Sequence, residues 1–411
     1  MKVNGVIAEY NPFHNGHKYQ LEESKRLTGA DYTIVVLSSN FVQRGDPSLI
    51  DKHTRAEMAL RNGADLVLEL PIIYAASSAE FFATGAVSLL DKLGVVTHLS
   101  FGSECGDTAL LTQIASILLE EPEDYKKVLK SQLKQGHTYP TARNAALIHH
   151  CPSLTENKGL MSSPNNILAI EYIKAIMKMD SAMEAVTVRR LGTDYHDPAP
   201  HSKYCSSLAI RQALADGRKL SSVAHYIPDS ACELLAERLV LDRGIYSNDF
   251  SSALYYKLLS ERDGGFDKYL DVSTDLSNRI SKHLPEYKNF DDFCDRLKTK
   301  ELTYTRISRC LLHILLNLTK EDMEICAELE HTPYARILGF RKDAEPLLSA
   351  VKEHTAIPLV TKLADAEKNL PTDAYLMLKQ EIAINQLYYG IAAGLSGHQP
   401  INEYSIPLVK V

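Results

Sequence analysis

Apolar and polar residues along the first two hundred residues form a pattern that predicts strands and helices in turn. Short apolar runs predict strands at residues 3–8, 32–37, 66–68, 98–101 and 185–189. Apolar positions at helical spacing predict helices at residues 17–27, 54–62, 79–93 and 166–177. This alternation is typical of an α/β fold with an open, mostly parallel, Rossmann-like sheet and helices on both faces. Ligands of such folds bind at the carboxyl edge of the strands, so we expect a functional site on the loops after the strands.

The pattern changes beyond about residue 220, where strand signals become few. Amphipathic runs such as 230–240, 251–260 and 306–318 predict helices. Prolines interrupt this region without a fixed period, which argues against a repeat solenoid. A length of 411 residues agrees with more than one domain. We therefore predict an α/β domain over residues 1–220 and a mostly α-helical domain over residues 221–411.

Composition limits the classes of protein to consider. Hydrophobic residues make up 45% of the chain, but no run of about twenty apolar residues predicts a membrane-spanning helix. The chain enters a strand directly after Met1 and Lys2, without the apolar segment of a secretory signal, so we expect a cytoplasmic protein. The seven cysteines are scattered, which predicts neither a disulfide framework nor a zinc site. A formal net charge of −7 argues against nucleic-acid binding over the whole surface and is compatible with a local basic patch.

The segment after the first predicted strand carries the strongest chemical pattern. Residues 8–17 read AEYNPFHNGH, so that His14 and His17 stand where a helix is predicted to begin. Helix N-termini attract anions, and imidazoles can donate hydrogen bonds to phosphate oxygens. Gly16 would let the backbone approach a ligand closely. The pattern predicts a phosphate-binding site, and the alternative is a turn with two surface histidines.

Further polar segments fall on the loops after later strands. Residues 40–47, NFVQRGDP, follow the second strand. Gly102 follows the fourth strand and is either a contact for a base or ribose or an ordinary turn glycine. Asn165 and Asn166 begin a predicted helix, so they serve either as ligand contacts or as capping residues alone.

One more segment joins the last of these strands to another predicted helix. It begins with Arg190, continues through residues 192–197, GTDYHD, and reaches Ser206 and Arg211. Hydroxyl and guanidinium groups at a helix start suit the binding of phosphates. The alternative for Arg211 is an arginine on the helix surface.

Two basic clusters are candidates for contact with a nucleic acid. In the first, Lys126, Lys130 and Lys134 recur at helical spacing near Lys127, Tyr139 and Arg143, and the alternative is a solvated lysine face. The second cluster combines cations with an aromatic residue that can stack on an unpaired base. Its members are Arg296, Lys298, Lys300, Tyr304, Arg306 and Arg309.

The order of these motifs resembles a known family. The pattern H-x-G-H after a first strand is similar to that of the nucleotidyltransferase superfamily, and residues 206–211 resemble its second phosphate-binding loop, except that Leu208 replaces the usual Ser or Thr. Segments 9–17, 43–45, 64–71, 101–104, 164–168 and 194–197 closely resemble those of the bacterial tRNA(Met) cytidine acetate ligases. The resemblance extends over essentially the full length, and Ser39 departs from the glycine that is common there.

The resemblance implies an enzyme that activates acetate with ATP, and Mg²⁺, to acetyl-adenylate and releases pyrophosphate. The acetyl group then passes to N4 of the wobble cytidine in elongator tRNA(Met), and AMP leaves. It implies catalytic roles for His14, His17 and Arg211, and tRNA binding by the helical domain with its basic cluster. The residues implied to bind ATP are Ile7, Ala8, Glu9, Tyr10, Asn11, Pro12, Phe13, His14, Asn15, Gly16, His17, Lys18, Tyr19, Gln20, Gly102, Asn165, Asn166, Arg190 and Ser206.

Two other functions compete with this interpretation. The first is a small-molecule adenylyltransferase, against which the long helical region and its basic cluster favour a large partner. The second is a nucleotide-sensing RNA-binding factor that has lost the reaction, against which the presence of His14, His17 and Arg211 argues. The sequence does not assign the base that removes the proton from cytidine N4.

Overall fold

The computed structural model describes residues 1–152, 154, 159–191, 203–241 and 243–411, so the candidate segment 192–197 lies outside the described residues. No helix in these ranges is both long and apolar enough to cross a lipid bilayer. The strands are β1 (Val3–Ala8), β2 (Tyr32–Ser38), β3 (Phe41–Val42), β4 (Asp46–Pro47), β5 (Leu66–Leu70), β6 (His98–Ser103), β7 (Glu184–Arg189), β8 (Ala335–Phe340), β9 (Leu359–Val360) and β10 (Val409–Lys410). The α-helices are α1 (Asn15–Thr28), α2 (Lys52–Leu60), α3 (Ile72–Ala75), α4 (Ala79–Lys92), α5 (Thr108–Glu120), α6 (Glu123–Lys134), α7 (Tyr139–His150), α8 (Pro164–Lys178), α9 (Ser207–Ala215), α10 (Asp229–Leu241), α11 (Ser251–Glu261), α12 (Thr274–His283), α13 (Phe290–Leu297), α14 (Tyr304–Leu316), α15 (Lys320–Glu328), α16 (Glu345–His354), α17 (Ala366–Asn369) and α18 (Thr372–Ser396).

A single large sheet organises the fold. Its strand order is β10-β8-β5-β2-β1-β6-β7, with β9 also paired to β8, and β3 and β4 form a separate hairpin. All pairs in the large sheet are parallel except β5 with β8. The predicted mostly parallel α/β sheet is therefore confirmed, and all the strands predicted before residue 190 are present.

Strand alternation divides the apolar residues between two cores, one on each face of the sheet. In β2, Ile34 and Val36 belong to one core, whereas Val35 and Leu37 belong to the other. Helices α4 and α8 cover the first face, and α1, α2 and α10 cover the second. Because both faces of the sheet are buried, the central strands are almost continuously apolar. Apolar runs in the sequence therefore predict them.

The C-terminal half is mostly helical, as predicted, and it also contributes strands to the same sheet. Strand β8 pairs antiparallel with β5, so that Arg336 lies opposite Glu69. The sequence analysis does not predict β8, because the run ARILGF is short and carries a charged residue in an apolar stretch. Residues 1–220 and residues 221–411 therefore both contribute strands to one sheet. Their assignment to two domains with different roles stays a prediction.

Candidate active site

Two adjoining cavities lie at the carboxyl ends of β1, β6 and β7. The larger, of about 680 Å³, is bounded by the end of β1, the β3–β4 hairpin and the starts of α8 and α14. The smaller, of about 390 Å³, lies between α1, β7 and the start of α9. Five residues line both cavities, namely His14, Gln20, Gly102, Arg190 and Ser206. The site therefore has two lobes that meet at His14.

The backbone at the start of α1 holds both histidines. Nδ1 of His14 accepts a hydrogen bond from the Gly16 N–H (3.0 Å), and Nδ1 of His17 accepts one from the His14 N–H (3.2 Å). This is a capping box made by imidazoles. Because each Nδ1 is an acceptor, a neutral ring carries its proton on Nε2. Each ring thus keeps an Nε2–H donor free of the capping interaction, and both histidines line the larger cavity.

Both imidazoles are neutral over the physiological pH range. Their ring centroids are 3.6 Å apart in a stacked arrangement. Burial, together with the positive charge of Arg190, lowers the pKa of His14 to about 3. Burial, His14 and Arg190 hold the pKa of His17 well below its usual value. The pair can therefore donate hydrogen bonds to an anion without the mutual repulsion of two cations.

Gly16 leaves room for the capping ring. A β-carbon at this position would lie 2.8 Å from Cε1 of His14. A side chain would therefore push the imidazole away from the Gly16 N–H. The glycine of H-x-G-H is explained by this contact, and its predicted close approach to a ligand stays a prediction.

Glu104 and the start of α8 hold each other through reciprocal hydrogen bonds. The Glu104 carboxylate accepts from the Asn165 side-chain amide (2.7 Å) and from the Asn166 N–H (2.8 Å). In return, Oδ1 of Asn166 accepts from the N–H groups of Glu104 (3.0 Å) and Cys105 (3.2 Å). Asn165 lines the larger cavity, whereas Asn166 is buried behind it. Glu104 thus accepts the first N–H groups of α8, and the Asn166 side chain holds the loop after β6 instead of capping the helix. The predicted contact of Asn166 with ATP stays a prediction.

The β3–β4 hairpin brings Arg44 to the larger cavity, because helices hold the hairpin from two sides. Gly45 has a φ of 79°, and a β-carbon there would lie 2.7 Å from the carbonyl carbon of Ser308, so α14 packs directly on this turn. The Ser308 hydroxyl donates to the Gly45 carbonyl at 2.9 Å. From α9, Arg211 donates to the Pro47 carbonyl at 3.1 Å. Both helices thus fix the hairpin within the candidate segment 40–47.

Arg211 lies on α9 beside the β3–β4 hairpin. It lines neither cavity, and besides Pro47 its guanidinium faces Asp46, at 4.0 Å. These contacts hold the hairpin, and the predicted role of Arg211 toward the phosphates stays a prediction.

The predicted ATP-binding residues divide into those that line the cavities and those that support them. The lining residues are Ile7, Ala8, Glu9, His14, Gly16, His17, Tyr19, Gln20, Gly102, Asn165, Arg190 and Ser206. The residues outside both cavities are Tyr10, Asn11, Pro12, Phe13, Asn15, Lys18 and Asn166. Tyr10 and Phe13 are buried in the core below the motif, and the Asn15 amide donates to the Lys203 carbonyl (3.1 Å) and the His225 carbonyl (3.0 Å).

The residues of the second basic cluster have different surroundings. Arg309 lines the larger cavity, and Tyr304 donates to Asp291 at 2.7 Å. Acidic neighbours pair with Arg296 and Lys298. In the part of the chain that the structure describes, Lys300 and Arg306 are exposed and have no ion pair.

The sequence analysis missed an apolar wall of the larger cavity. Tyr172 lies 5.7 Å from Phe101 and 6.5 Å from Phe82, measured between ring centroids, and all three line the cavity. They belong to elements whose other apolar residues form the core. Periodicity alone does not distinguish a wall from a core, and the only signal was the position of Phe101 at a strand end.

The described residues do not assemble a protein-held metal site. Within the described ranges, no group of three or more His, Cys, Asp or Glu side chains is placed to hold a metal ion. The carboxylates of the larger cavity, Glu9 and Glu104, both accept N–H groups of the protein. The predicted Mg²⁺ is therefore given no protein ligands here.

Comparisons with known proteins agree with this geometry. A model of the HIGH Nucleotidyl Transferase family matches residues 1–399. The tRNA(Met) cytidine acetate ligase of Clostridium kluyveri is 41% identical over 402 residues, which cover 94% of this chain and 98% of that one. The protein of the same name from Halothermothrix orenii is 36% identical and covers 100% of both chains. The crystal structure of Thermotoga maritima TmcAL bound with alpha-thio ATP superposes with a TM-score of 0.90 at 33% identity, over 100% of both chains.

Proposed function

The chain belongs to the HIGH nucleotidyl transferase family and, within it, to the tRNA(Met) cytidine acetate ligases, and we propose that it acetylates a cytidine of tRNA(Met) at the expense of ATP. In the first step, an acetate oxygen attacks the α-phosphorus of ATP, the bond to pyrophosphate breaks and acetyl-adenylate forms. In the second step, N4 of the wobble cytidine of elongator tRNA(Met) attacks the acetyl carbonyl and AMP leaves. The observation that carries the proposal is the pair of neutral histidines with free Nε2–H groups, His14 at the junction of the two lobes and His17 in the larger one, in a chain related to these ligases over nearly its full length.

The two lobes can each receive different substrates of the reaction. We place adenosine in the smaller lobe, whose walls include Tyr19, Val188 and Tyr204. The phosphates then lie at the junction, near His14 and Arg190, and the larger lobe receives acetate and the cytidine. The T. maritima structure, which contains an ATP analogue, supports a nucleotide in this fold.

Phosphoryl and nucleotidyl transfer depend mostly on positioning and on stabilisation of charge. The Nε2–H groups of His14 and His17 would donate to phosphate oxygens as negative charge moves toward the leaving pyrophosphate. Arg190, which is half-buried at the junction, adds a positive charge there. Mg²⁺ would offset phosphate charge when it arrives bound to ATP, and we assign no step to it. The tRNA substrate places the reaction in the cytoplasm.

Exchange of label between ATP and pyrophosphate tests the first step directly. The purified protein should catalyse exchange that depends on added acetate, because labelled pyrophosphate enters ATP only when acetyl-adenylate forms and the step then reverses. The assay is run with and without acetate and with and without elongator tRNA(Met). Exchange that ignores acetate but responds to a phosphate-bearing small molecule would favour the adenylyltransferase. Complete absence of exchange would favour the non-catalytic RNA-binding factor.

The exposed cations of the second basic cluster are proposed to contact the tRNA backbone. Replacing Lys300 and Arg306 with glutamine should weaken tRNA binding and lower the slope of log affinity against log salt by about 1 for each lost phosphate contact. Acetate-dependent exchange should not change. Fluorescence anisotropy with labelled tRNA over a range of salt concentrations measures both quantities.

Arg296→Gln is the matched control for that experiment. Glu286 and Asp292 already neutralise this guanidinium, so its loss should change the salt slope less. If the Lys300 and Arg306 variant binds tRNA normally, the lysines of α6 become the better candidates. Lys127, Lys130 and Lys134 are exposed there and have no ion pair among the described residues.

A further inference from the structure

We infer that Glu9 is the general base that takes the proton from cytidine N4 during acetyl transfer, an inference that rests on the proposed function. Glu9 directly follows β1 and lines the larger lobe, but it does not line the smaller one. The larger lobe also includes Thr303, Thr305 and Arg309 at the start of α14. Glu9 is therefore on the side that we assign to acetate and cytidine, across the junction from adenosine.

The structure holds Glu9 in one position. Its Oε1 accepts from the Gln43 N–H at 3.0 Å, and its backbone carbonyl accepts from Arg55 at 2.6 Å. Arg55 is fully buried and also donates to the carbonyls of Ser39 and Ile50, so it cannot shift to follow a ligand. A carboxylate that is fixed in this way keeps its second oxygen for one acceptor role in the cavity.

The other titratable groups that line this lobe are unsuited to accept the proton. Glu104 uses both oxygens on the start of α8. His14 and His17 use Nδ1 on backbone N–H groups and carry a proton on Nε2, so both are donors. Burial raises the pKa of the Tyr172 phenol, which stays protonated. Among the described residues that line the lobe, Glu9 is the group left for this role.

The proton has a complete path in this step. The lone pair of N4 forms the new bond to the acetyl carbon, and the bond between that carbon and the AMP phosphate oxygen breaks. The nitrogen then carries a surplus proton, which passes to the Glu9 carboxylate and from there to solvent. AMP leaves as the phosphate anion, so the step needs no further reactant.

The charges around Glu9 predict how the step depends on pH. Burial raises the pKa of Glu9, although the Gln43 N–H and three arginines oppose this change. Only the ionised carboxylate can accept a proton, so the transfer rate should rise with pH through this pKa and then level. The charged or titratable groups facing Glu9 are Arg44 on the hairpin, Arg55 on α2, Tyr172 on α8 and Arg211 on α9.

Glu9→Gln and Glu9→Asp test the inference when the two steps are measured separately. Acetate-dependent ATP–pyrophosphate exchange measures activation, and single-turnover transfer from enzyme-bound acetyl-adenylate to tRNA measures acetylation. Glu9→Gln should lower transfer by at least about 100-fold more than it lowers exchange, since a general base typically contributes roughly that much or more. Glu9→Asp keeps a carboxylate but places it one methylene further away. Its rate of acetyl transfer should therefore still rise with pH, and it should level at a lower value than that of the natural protein.

Each result decides the question. If Glu9→Gln transfers acetyl at the normal rate, or loses exchange and transfer equally, Glu9 is not the base. If Glu9→Gln does not fold, the pH profiles of the natural protein and Glu9→Asp decide, and profiles without a rising limb overturn the inference. Failure of the proposed function is distinguishable, because the unsubstituted protein would then show no acetate-dependent exchange.

Discussion

Replacing both His14 and His17 with asparagine should lower acetate-dependent ATP–pyrophosphate exchange by at least about 1000-fold, because one preorganised donor of this kind is worth roughly 100- to 1000-fold. Both histidines line the same cavity, and each uses Nδ1 on a backbone N–H group and keeps its Nε2–H group. Asparagine is shorter and cannot reach as far as Nε2. It is also a favoured N-cap residue, so the start of α1 should be retained, whereas alanine at position 14 would cost about 1 kcal/mol. Exchange and thermal unfolding are measured on the same preparations.

His225→Asn is the matched control for the histidine variants. His225 packs on Tyr226, with ring centroids 3.8 Å apart, and lines neither lobe. The control should retain the full exchange rate. A normal rate in the double variant would show that the histidines serve only as caps. A loss that accompanies unfolding would lead to the same conclusion.

The sequence predicted the part of the site that depends on local chain geometry. Strand β1 has the predicted bounds, and the helix that follows it begins within two residues of the prediction. Near this turn, His14, Gly16 and His17 interact with one another, so their spacing along the chain determines their arrangement. Local patterns of this kind are visible without knowledge of the fold.

The parts that depend on contacts between distant segments were not predictable in the same way. Arg309 is 295 positions from His14 along the chain, yet α14 brings it to the same lobe because Gly45 lets the helix pack on the hairpin. The motif predicts a phosphate ligand at Arg211, and it gives no sign of the contacts that this guanidinium makes with Pro47 and Asp46. A motif identifies a residue type, and only the packing shows what that residue contacts.

The same limit applies to a buried ionic cluster that no sequence pattern indicated. Lys52 on α2, Glu69 on β5, Arg336 on β8 and Glu403 near β10 lie together, each at most 6% exposed at its side chain. The cluster joins the C-terminal strands to the central sheet. In the sequence these four residues are far apart and look like ordinary surface charges.

Replacing Lys52 with methionine should lower the free energy of unfolding by about 3–5 kcal/mol, because removing one partner leaves buried charge without compensation. Nζ of Lys52 lies 2.5 Å from Oε1 of Glu69 and also bonds Glu403. Without it, Arg336 alone, at 2.9 Å from Glu69 and 2.8 Å from Glu403, would face both carboxylates. Urea unfolding at pH 7, followed by circular dichroism, gives the difference.

Arg61→Met is the matched control, because Arg61 and Glu57 form an exposed pair on the same helix at 2.5 Å. A surface pair of this kind contributes about 0–1 kcal/mol. Although burial opposes the effect, Arg336 and Lys52 hold the pKa of Glu69 well below its usual value. The stability from Glu69 is therefore present at neutral pH and is lost as pH falls below the ordinary carboxyl pKa of about 4.3. The difference in free energy of unfolding between the natural protein and Lys52→Met should therefore become smaller in acid. If Lys52→Met loses no more stability than Arg61→Met, or if its loss does not depend on pH, the cluster does not stabilise the pairing of β5 with β8.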